Sequence, residues 1–374
     1  MRIGLDALLL EGRAGVRQTG LSRYETRLVE ELARHGEDEL VVYAQPEARD
    51  LKLTPNARWR TPPRSVADPA LRIAWEQTGM VARARRDRLD LLHGMAFVVP
   101  PLWRGPSVVT IHDLGFLKLS GHAPARRVAY LGAMVRIAVR RASRVIAISE
   151  HTKKDIVQQF EIDPARIDVT PLGVSDGLSP LAPQERADFR DAHGLDRPTL
   201  LYLGTLEPRK NIPNLLRAFD LIAGETDAEL VLGGAKGWLT EELNETLNAM
   251  RWRDRVRLTG FIPETDLRSW LSAVDIFVFP SRYEGFGLPP LEAMACGTPV
   301  VASTSSSLPA VLGDAALLAD ADDIEAIAAS IRRLLDDPAL ASDLRKRGLR
   351  RAARFTWQET ARLTRESYRA ALNG

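Results

Sequence analysis

Short apolar runs alternate with helical patterns along this chain, and the series runs through twice. Candidate strands fall at 3–9, 40–43, 89–93, 108–111 and 145–148. After Pro171-Leu172-Gly173 they resume at 200–203, 230–232, 256–258, 276–279 and 300–302. Helical patterns cover 21–33, 125–141, 150–160, 211–223, 239–250, 264–273 and 324–335. Such alternation argues for parallel α/β sheets, because parallel neighbours need a crossover connection and a helix is the usual one. Two series in 374 residues argue for two domains. The segment 175–197, rich in Pro, Gly and Asp, reads as a linker before a new start. The simplest architecture is two Rossmann-like sheets facing across a cleft, with ligands held beyond the carboxyl ends of the strands. An amphipathic last helix is expected over 357–372.

Composition excludes several classes. Apolar residues make up 45% and charged residues 27%, ordinary for a soluble globular chain. No run approaches the roughly 18 apolar residues that span a bilayer. Met1 leads straight into Arg2-Ile3-Gly4-Leu5-Asp6, too quickly charged for a secretory signal. The single cysteine, Cys296, leaves no intrachain disulfide and no Cys-based metal site, and it reads as a small buried filler. A cytoplasmic location is expected. The net charge of +2 hides an asymmetry, since residues 60–144 carry 15 Lys/Arg against 5 Asp/Glu. Arg83, Arg85, Arg86 and Arg88 form one cluster. Arg126, Arg127, Arg136, Arg140, Arg141 and Arg144 form another around Val128, Leu131, Val135 and Val139, which reads as a basic amphipathic helix. It suits an anionic membrane surface or a plain solvated face. Nucleic acid is not expected, for no exposed aromatics interleave with these clusters.

Familiar phosphate motifs are missing. No G-x-G-x-x-G follows the first strand, and Gly233-Gly234-Ala235-Lys236-Gly237-Trp238 lacks P-loop spacing. Asp320-Ala321-Asp322 precedes a helix and reads as an N-cap. No His/Glu set has zinc spacing, so no metal is expected. Four loops remain, each just after a candidate strand. Gln18-Thr19-Gly20-Leu21-Ser22-Arg23-Tyr24 opens the first helix, where Gly20 lets a backbone N–H approach a phosphate; a simple turn would look the same. His112-Asp113-Leu114 places a histidine at a strand end, where it binds a ligand or is satisfied by a neighbouring backbone group. Gly204-Thr205-Leu206-Glu207-Pro208-Arg209-Lys210-Asn211 sets two cations before a helix, suited to neutralising a departing diphosphate. In Ser281-Arg282-Tyr283-Glu284-Gly285-Phe286-Gly287-Leu288-Pro289-Pro290-Leu291-Glu292, a glycine turn meets a helix N-terminus, an anion-binding corner. Carboxylates there would repel phosphate and are better explained as acceptors for hydroxyls. The ligand implied carries both phosphate and sugar.

These residues resemble a known family. Glu284 and Glu292 match the E-x7-E pattern of retaining glycosyltransferases with the GT-B fold, and the chain resembles a bacterial member of glycosyltransferase family 4. The pieces Ile111-His112-Asp113-Leu114, Ile148-Ser149-Glu150, Thr170-Pro171-Leu172-Gly173-Val174, Leu203–Asn211, Gly237-Trp238, Leu258-Thr259-Gly260-Phe261 and Glu292–Val300 recur in that order in relatives. The resemblance implies a GT-B α/β fold. Its acceptor-side domain would cover 1–172 and its donor domain 173–354, with a terminal segment 355–374 crossing back to the first, Phe355 and Trp357 near the crossing. It implies that Arg209 and Lys210 bind the donor diphosphate, that Glu284 with the amides of Gly285, Phe286 and Gly287 holds the sugar hydroxyls, and that Glu292 binds the ribose. Phe261 and Ile262 would line the base, Gly20 would touch the diphosphate, and His112 would lie near the reacting sugar. Gly204, Thr205 and Leu288 complete the donor-binding set. One position departs from the pattern: many relatives carry Arg where this chain has Thr205.

The Gly-Thr-Leu-Glu-Pro-Arg-Lys-Asn subgroup resembles O-antigen and exopolysaccharide mannosyltransferases, which makes GDP-mannose the expected nucleotide-sugar donor. A polyprenyl-diphosphate-linked or oligosaccharide acceptor in surface polysaccharide synthesis is expected. The implied chemistry is transfer with retention through an oxocarbenium-like transition state. Alternatives are another GDP- or UDP-sugar, a sugar-nucleotide epimerase of the same fold, and a non-catalytic partner of another transferase.

Overall fold

The computed structural model describes residues 1–10, 20–35, 38–50, 54–62, 68–119, 125–234 and 240–374. Gln18, Thr19, Gly237 and Trp238 lie outside them. Two compact units result, one of Met1–Gly173 with Trp357–Gly374, the other of Val174–Thr356.

In the first unit, seven parallel strands lie in the order β3-β2-β1-β4-β5-β6-β7. They are β1 (Arg2–Asp6), β2 (Glu39–Tyr43), β3 (Ala57–Arg60), β4 (Leu91–Gly94), β5 (Ser107–Ile111), β6 (Arg144–Ala147) and β7 (Ile167–Val169). Ile3 aligns with Leu40 on one side and Leu91 on the other. Every residue of β4 and β5 is buried, as expected of central strands covered on both faces. The first candidate strand therefore ends at Asp6, short of the expected residue 9.

The last helix, Trp357–Asn373, belongs to this unit and packs on the helix Gly20–His35 and on β4 to β6. Its apolar stripe carries Trp357, Ala361, Tyr368 and Ala371, all buried. A buried polar chain fastens it: Tyr368 OH is 2.7 Å from His93 Nδ1, His93 Nε2 is 2.8 Å from Thr110 Oγ1, and Tyr24 OH is 2.9 Å from the same Oγ1. Burial pulls the His93 pKa down to about 3, with neighbouring His112 adding to the effect. The folded state therefore refuses a proton that the unfolded chain accepts near pH 6.5, and stability from this group is lost as pH falls below that value. Between pH 7 and pH 5 the wild type should lose about 2 kcal/mol more than a His93→Gln variant. Urea unfolding at the two pH values checks this; parallel losses would contradict it.

The basic helix spans Ala125–Arg141 as expected, with Val135 and Val139 buried. Arg144 is not part of it: it lies in β6 and pairs with Asp168. Arg141 turns away to donate to Pro101 O at 2.8 Å.

In the second unit, six parallel strands run β10-β9-β8-β11-β12-β13. They are β8 (Thr199–Leu203), β9 (Glu229–Gly233), β10 (Val256–Gly260), β11 (Ile276–Phe279), β12 (Val300–Ser303) and β13 (Ala316–Ala319). The segment expected to be a linker contains the helix Pro183–His193. None of its residues is buried, so it shows no apolar stripe, and polar composition hid it. Its ends are nonetheless well marked: Pro183 opens it, Glu185 accepts from Ala182 N at 2.9 Å, and Gly194 closes it at φ 58. Arg186 and Arg190 fasten it through Asp275 at 2.9 and 3.1 Å. The cap expected of Asp320 or Asp322 comes from Asp323, whose Oδ1 accepts from Ala326 N at 2.8 Å. Asp322 pairs instead with Arg282 at 2.8 Å.

Candidate functional site

The strand order of the second unit reverses between β8 and β11, so the chain leaves their carboxyl ends in opposite directions and opens a crevice there. At the end of β8, Gly204 takes φ 154 and its N–H bonds Gly233 O at 3.0 Å. One strand over, a Cβ on Gly234 would fall 1.8 Å from Gly204 O. Glycine is required there because two backbones touch. Thr205 follows, its carbonyl accepting from Tyr202 OH at 3.2 Å. Pro208–Lys210 then form one tight turn, and Asn211 at φ 61 redirects the chain into the helix Ile212–Ile222. Asn211 Nδ2 donates to Pro280 O at 3.1 Å, which ties this loop to the end of β11.

Beyond β11, Arg282 N donates to Arg209 O at 2.8 Å. The turn that follows is clamped by two serines from the loop after β12. Ser306, left-handed at φ 53, accepts from Glu284 N at 2.8 Å. Ser307 Oγ lies 2.9 Å from Glu284 O and 2.8 Å from Phe286 O, so its one hydrogen is shared. Gly287 at φ 101 then starts the helix Leu288–Ala295.

Three of the expected residues therefore meet. Lys210 Nζ is 2.6 Å from Glu284 Oε1, and Arg209 Nη1 is 3.1 Å from Glu284 Oε2 and 3.1 Å from Tyr283 O. The Lys210 ammonium also sits 5.0 Å from the centre of the Phe279 ring. Glu284 is 7% exposed. Burial pushes its pKa up, but the Lys210 and Arg209 charges outweigh this and hold it below the usual value. It is thus an ionised acceptor of hydrogen bonds. Burial lowers the Lys210 pKa, and Glu284 restores it only in part. Such a corner can carry charge developing on a leaving group while its carboxylate takes hydroxyls.

The other expected residues spread outward. Gly285, Phe286, Gly287 and Leu288 share the clamped turn, and Glu292 is buried on the helix it opens. Burial raises the Cys296 thiol pKa to about 12, with nearby Glu292 adding to it, which leaves that cysteine inert. Phe261 is 45% exposed past the end of edge strand β10. Ile262 packs over Gly233, where an added Cβ would lie 2.8 Å from its Cδ1. Among the described residues no three His, Cys, Asp or Glu side chains converge as a metal ion needs.

Gly20 and His112 lie in the first unit. Gly20 begins its helix in the open, and a Cβ there would meet nothing within 4 Å. Among the described residues, no neighbour demands glycine at that point. His112 follows β5, 7% exposed, with Nε2 2.9 Å from Met95 O. A carbonyl only accepts, so Nε2 carries the hydrogen and Nδ1 is left as an acceptor. Burial lowers the His112 pKa to about 4, and the ring is neutral near pH 7. Asp113 does not orient it; its Oδ1 accepts from Gly115 N at 2.9 Å.

The chain as a whole is similar to known proteins. The family described as "Glycosyl transferases group 1" matches residues 183–351, and "Glycosyltransferase Family 4" matches residues 19–177. O-antigen chain mannosyltransferase B of Escherichia coli is 36% identical over 292 residues, covering 77% of this chain and 76% of that protein. D-inositol 3-phosphate glycosyltransferase of Pseudarthrobacter chlorophenolicus is 32% identical over 310 residues, covering 78% and 73%. Sucrose-phosphate synthase from Thermosynechococcus elongatus superposes with a TM-score of 0.80 at 24% identity over 98% of both chains. That superposition supports the GT-B fold.

Proposed function

The chain belongs to glycosyltransferase family 4, and from that premise we propose that it transfers mannose from GDP-mannose, with retention, to a lipid-linked or oligosaccharide acceptor in surface polysaccharide assembly. One observation carries the reading: Arg209, Lys210 and Glu284 converge at the β8/β11 switch point. The choice of mannose rests on the likeness to the E. coli O-antigen chain mannosyltransferase.

In this reading Lys210 and Arg209 take the donor's diphosphate. Glu284, with the amides of Gly285, Phe286 and Gly287, takes the sugar hydroxyls, and Leu288 opens the helix behind that turn. Glu292 serves the ribose, Phe261 and Ile262 the base, and Gly204 and Thr205 the floor of the loop. Gly20 adds a backbone amide for the diphosphate, and the Nδ1 of His112 accepts from a hydroxyl of the donor sugar. The acceptor oxygen attacks the anomeric carbon from the face that the diphosphate leaves. As the bond from that carbon to the phosphate oxygen breaks, the departing oxygen takes the acceptor's proton. The protein supplies position and fixed charge, and no metal is assigned.

The helix Ala125–Arg141 supports peripheral contact with the cytoplasmic face of a membrane. Tyr130 is 42% and Ile137 37% exposed, among exposed Arg126, Arg136 and Arg140. No helix among the described residues is long and apolar enough to cross a membrane.

A panel of GDP- and UDP-sugars with a lipid-linked oligosaccharide acceptor, run with phosphatidylglycerol vesicles, tests the reading. GDP released from GDP-mannose, an α-linked product by NMR, and pelleting with these vesicles but not with phosphatidylcholine are expected. Turnover only with a UDP-sugar would overturn the donor assignment. Conversion of the sugar nucleotide without acceptor would make the chain an epimerase.

A further inference from the structure

Glu207 takes no part in that reading. It stands where the chain leaves β8, between Leu206 and Pro208, with its side chain 12% exposed. Among the described residues its carboxylate has one polar partner: Oε1 lies 2.5 Å from Arg209 Nε. Residues two apart diverge on a regular helix. This pair closes because Glu207 is extended at φ −133 and the turn Pro208–Lys210 folds Arg209 back toward it. The loop backbone is fixed beneath the pair, with Glu207 N bonded to Thr205 O and Lys210 N to Glu207 O, each at 3.0 Å.

A guanidinium is planar and its donors form a rigid fork, so holding Nε sets the direction of both Nη groups. Glu207 lies in an ion pair against the Nε edge of Arg209. Tyr283 O and Glu284 Oε2 hold Nη1 from the other side, each at 3.1 Å. We infer that Glu207 is a positioning residue: it fixes the plane in which Arg209 meets the donor diphosphate. The inference rests on the diphosphate reading of this corner.

Charge and position make opposite predictions here. Arg209 and Lys210 are balanced by Glu207 and Glu284, and an anion beside a diphosphate repels it. On charge alone, removing the Glu207 carboxylate should tighten binding of a polyanion. If orientation of Arg209 matters more, removal should weaken it.

Inorganic pyrophosphate, titrated calorimetrically into the full chain, distinguishes the two. Glu207→Gln should weaken binding by about five- to tenfold, and Glu207→Asp should restore part of the loss. In an Arg209→Ala background the Glu207→Gln change should have no further effect, since a residue acting through another loses its influence with it. Tighter binding by Glu207→Gln, or an equal loss in both backgrounds, overturns the inference. If affinity falls with Lys210→Ala but rises with Glu207→Gln, the inference alone fails. If Lys210→Ala leaves affinity unchanged, the diphosphate reading fails as well. Should Glu207→Gln not fold, Glu207→Asp in the two backgrounds makes the distinction, because the shortened carboxylate keeps the charge and gives up part of the reach: position then predicts weaker binding in the Arg209 background alone, and an affinity equal to wild type overturns the inference.

Discussion

Replacing Lys210 with alanine should lower kcat roughly a thousandfold, about 4 kcal/mol of transition-state stabilisation. The reason is where the charge sits. Lys210 is 7% exposed and its ammonium lies 2.6 Å from Glu284, out of bulk water, where a fixed charge acts with little screening. Negative charge grows on the diphosphate only as the bond to the sugar breaks, so the loss should appear in kcat more than in KM. The same substitution leaves Glu284 buried with Arg209 as its remaining cationic partner, at a cost of about 1–3 kcal/mol in stability. A Lys210→Ala/Glu284→Gln double variant should regain that stability and remain inactive. Single-turnover kinetics and thermal melting separate the two effects. Wild-type turnover by Lys210→Ala would remove the leaving-group role.

Gly234→Ala should strongly destabilise the second unit, costing about 4 kcal/mol or more. Gly234 sits at φ 150, and its new Cβ would lie 1.8 Å from Gly204 O. That oxygen belongs to backbone, which cannot step aside as a side chain can. Gly204 N is itself bonded to Gly233 O, and Gly234 N to Gly260 O at 2.7 Å, so movement would part the ends of β8, β9 and β10 together. Gly194 supplies the contrast. It is also left-handed, at φ 58, but a Cβ there meets nothing within 4 Å. Gly194→Ala should therefore cost only about 1–2 kcal/mol of backbone strain. Urea unfolding of both variants gives the comparison, and equal costs would contradict it.

What could be read from the chain depended on whether the signal was local. The central strands were legible because burial on both faces demands continuous apolar runs, as in Leu200–Leu203 and Ile276–Phe279. Three edge strands were not. β3 reads Ala-Arg-Trp-Arg, β7 has three residues, and β13 reads Ala-Leu-Leu-Ala, which fits a helix as well. Edges are covered on fewer sides, and their sequences carry less of the pattern. The helix Pro183–His193 was hidden for a related reason: it lies on the surface and none of its residues is fully buried.

The candidate site divides in the same way. Arg209, Lys210 and Glu284 stood out as residue types in glycine-bearing loops after strands. That they touch one another required the strand order, which places β8 beside β11 across 75 residues of chain between Arg209 and Glu284. The Ser306 and Ser307 clamp lies 22 and 23 residues beyond Glu284. Nothing in the run Thr304-Ser305-Ser306-Ser307 names that partner. Glu207 was visible only as one letter of a motif, because its hold on Arg209 depends on a turn that its own sequence does not announce.

The central claim is that the Arg209–Lys210–Glu284 corner receives the diphosphate of an activated sugar. A crystal structure of the chain with GDP tests this most directly. Phosphate oxygens within about 3 Å of Lys210 Nζ and the Arg209 guanidinium are expected. A diphosphate bound elsewhere, with Lys210 and Arg209 still paired to Glu284 and touching no phosphate oxygen, would contradict it.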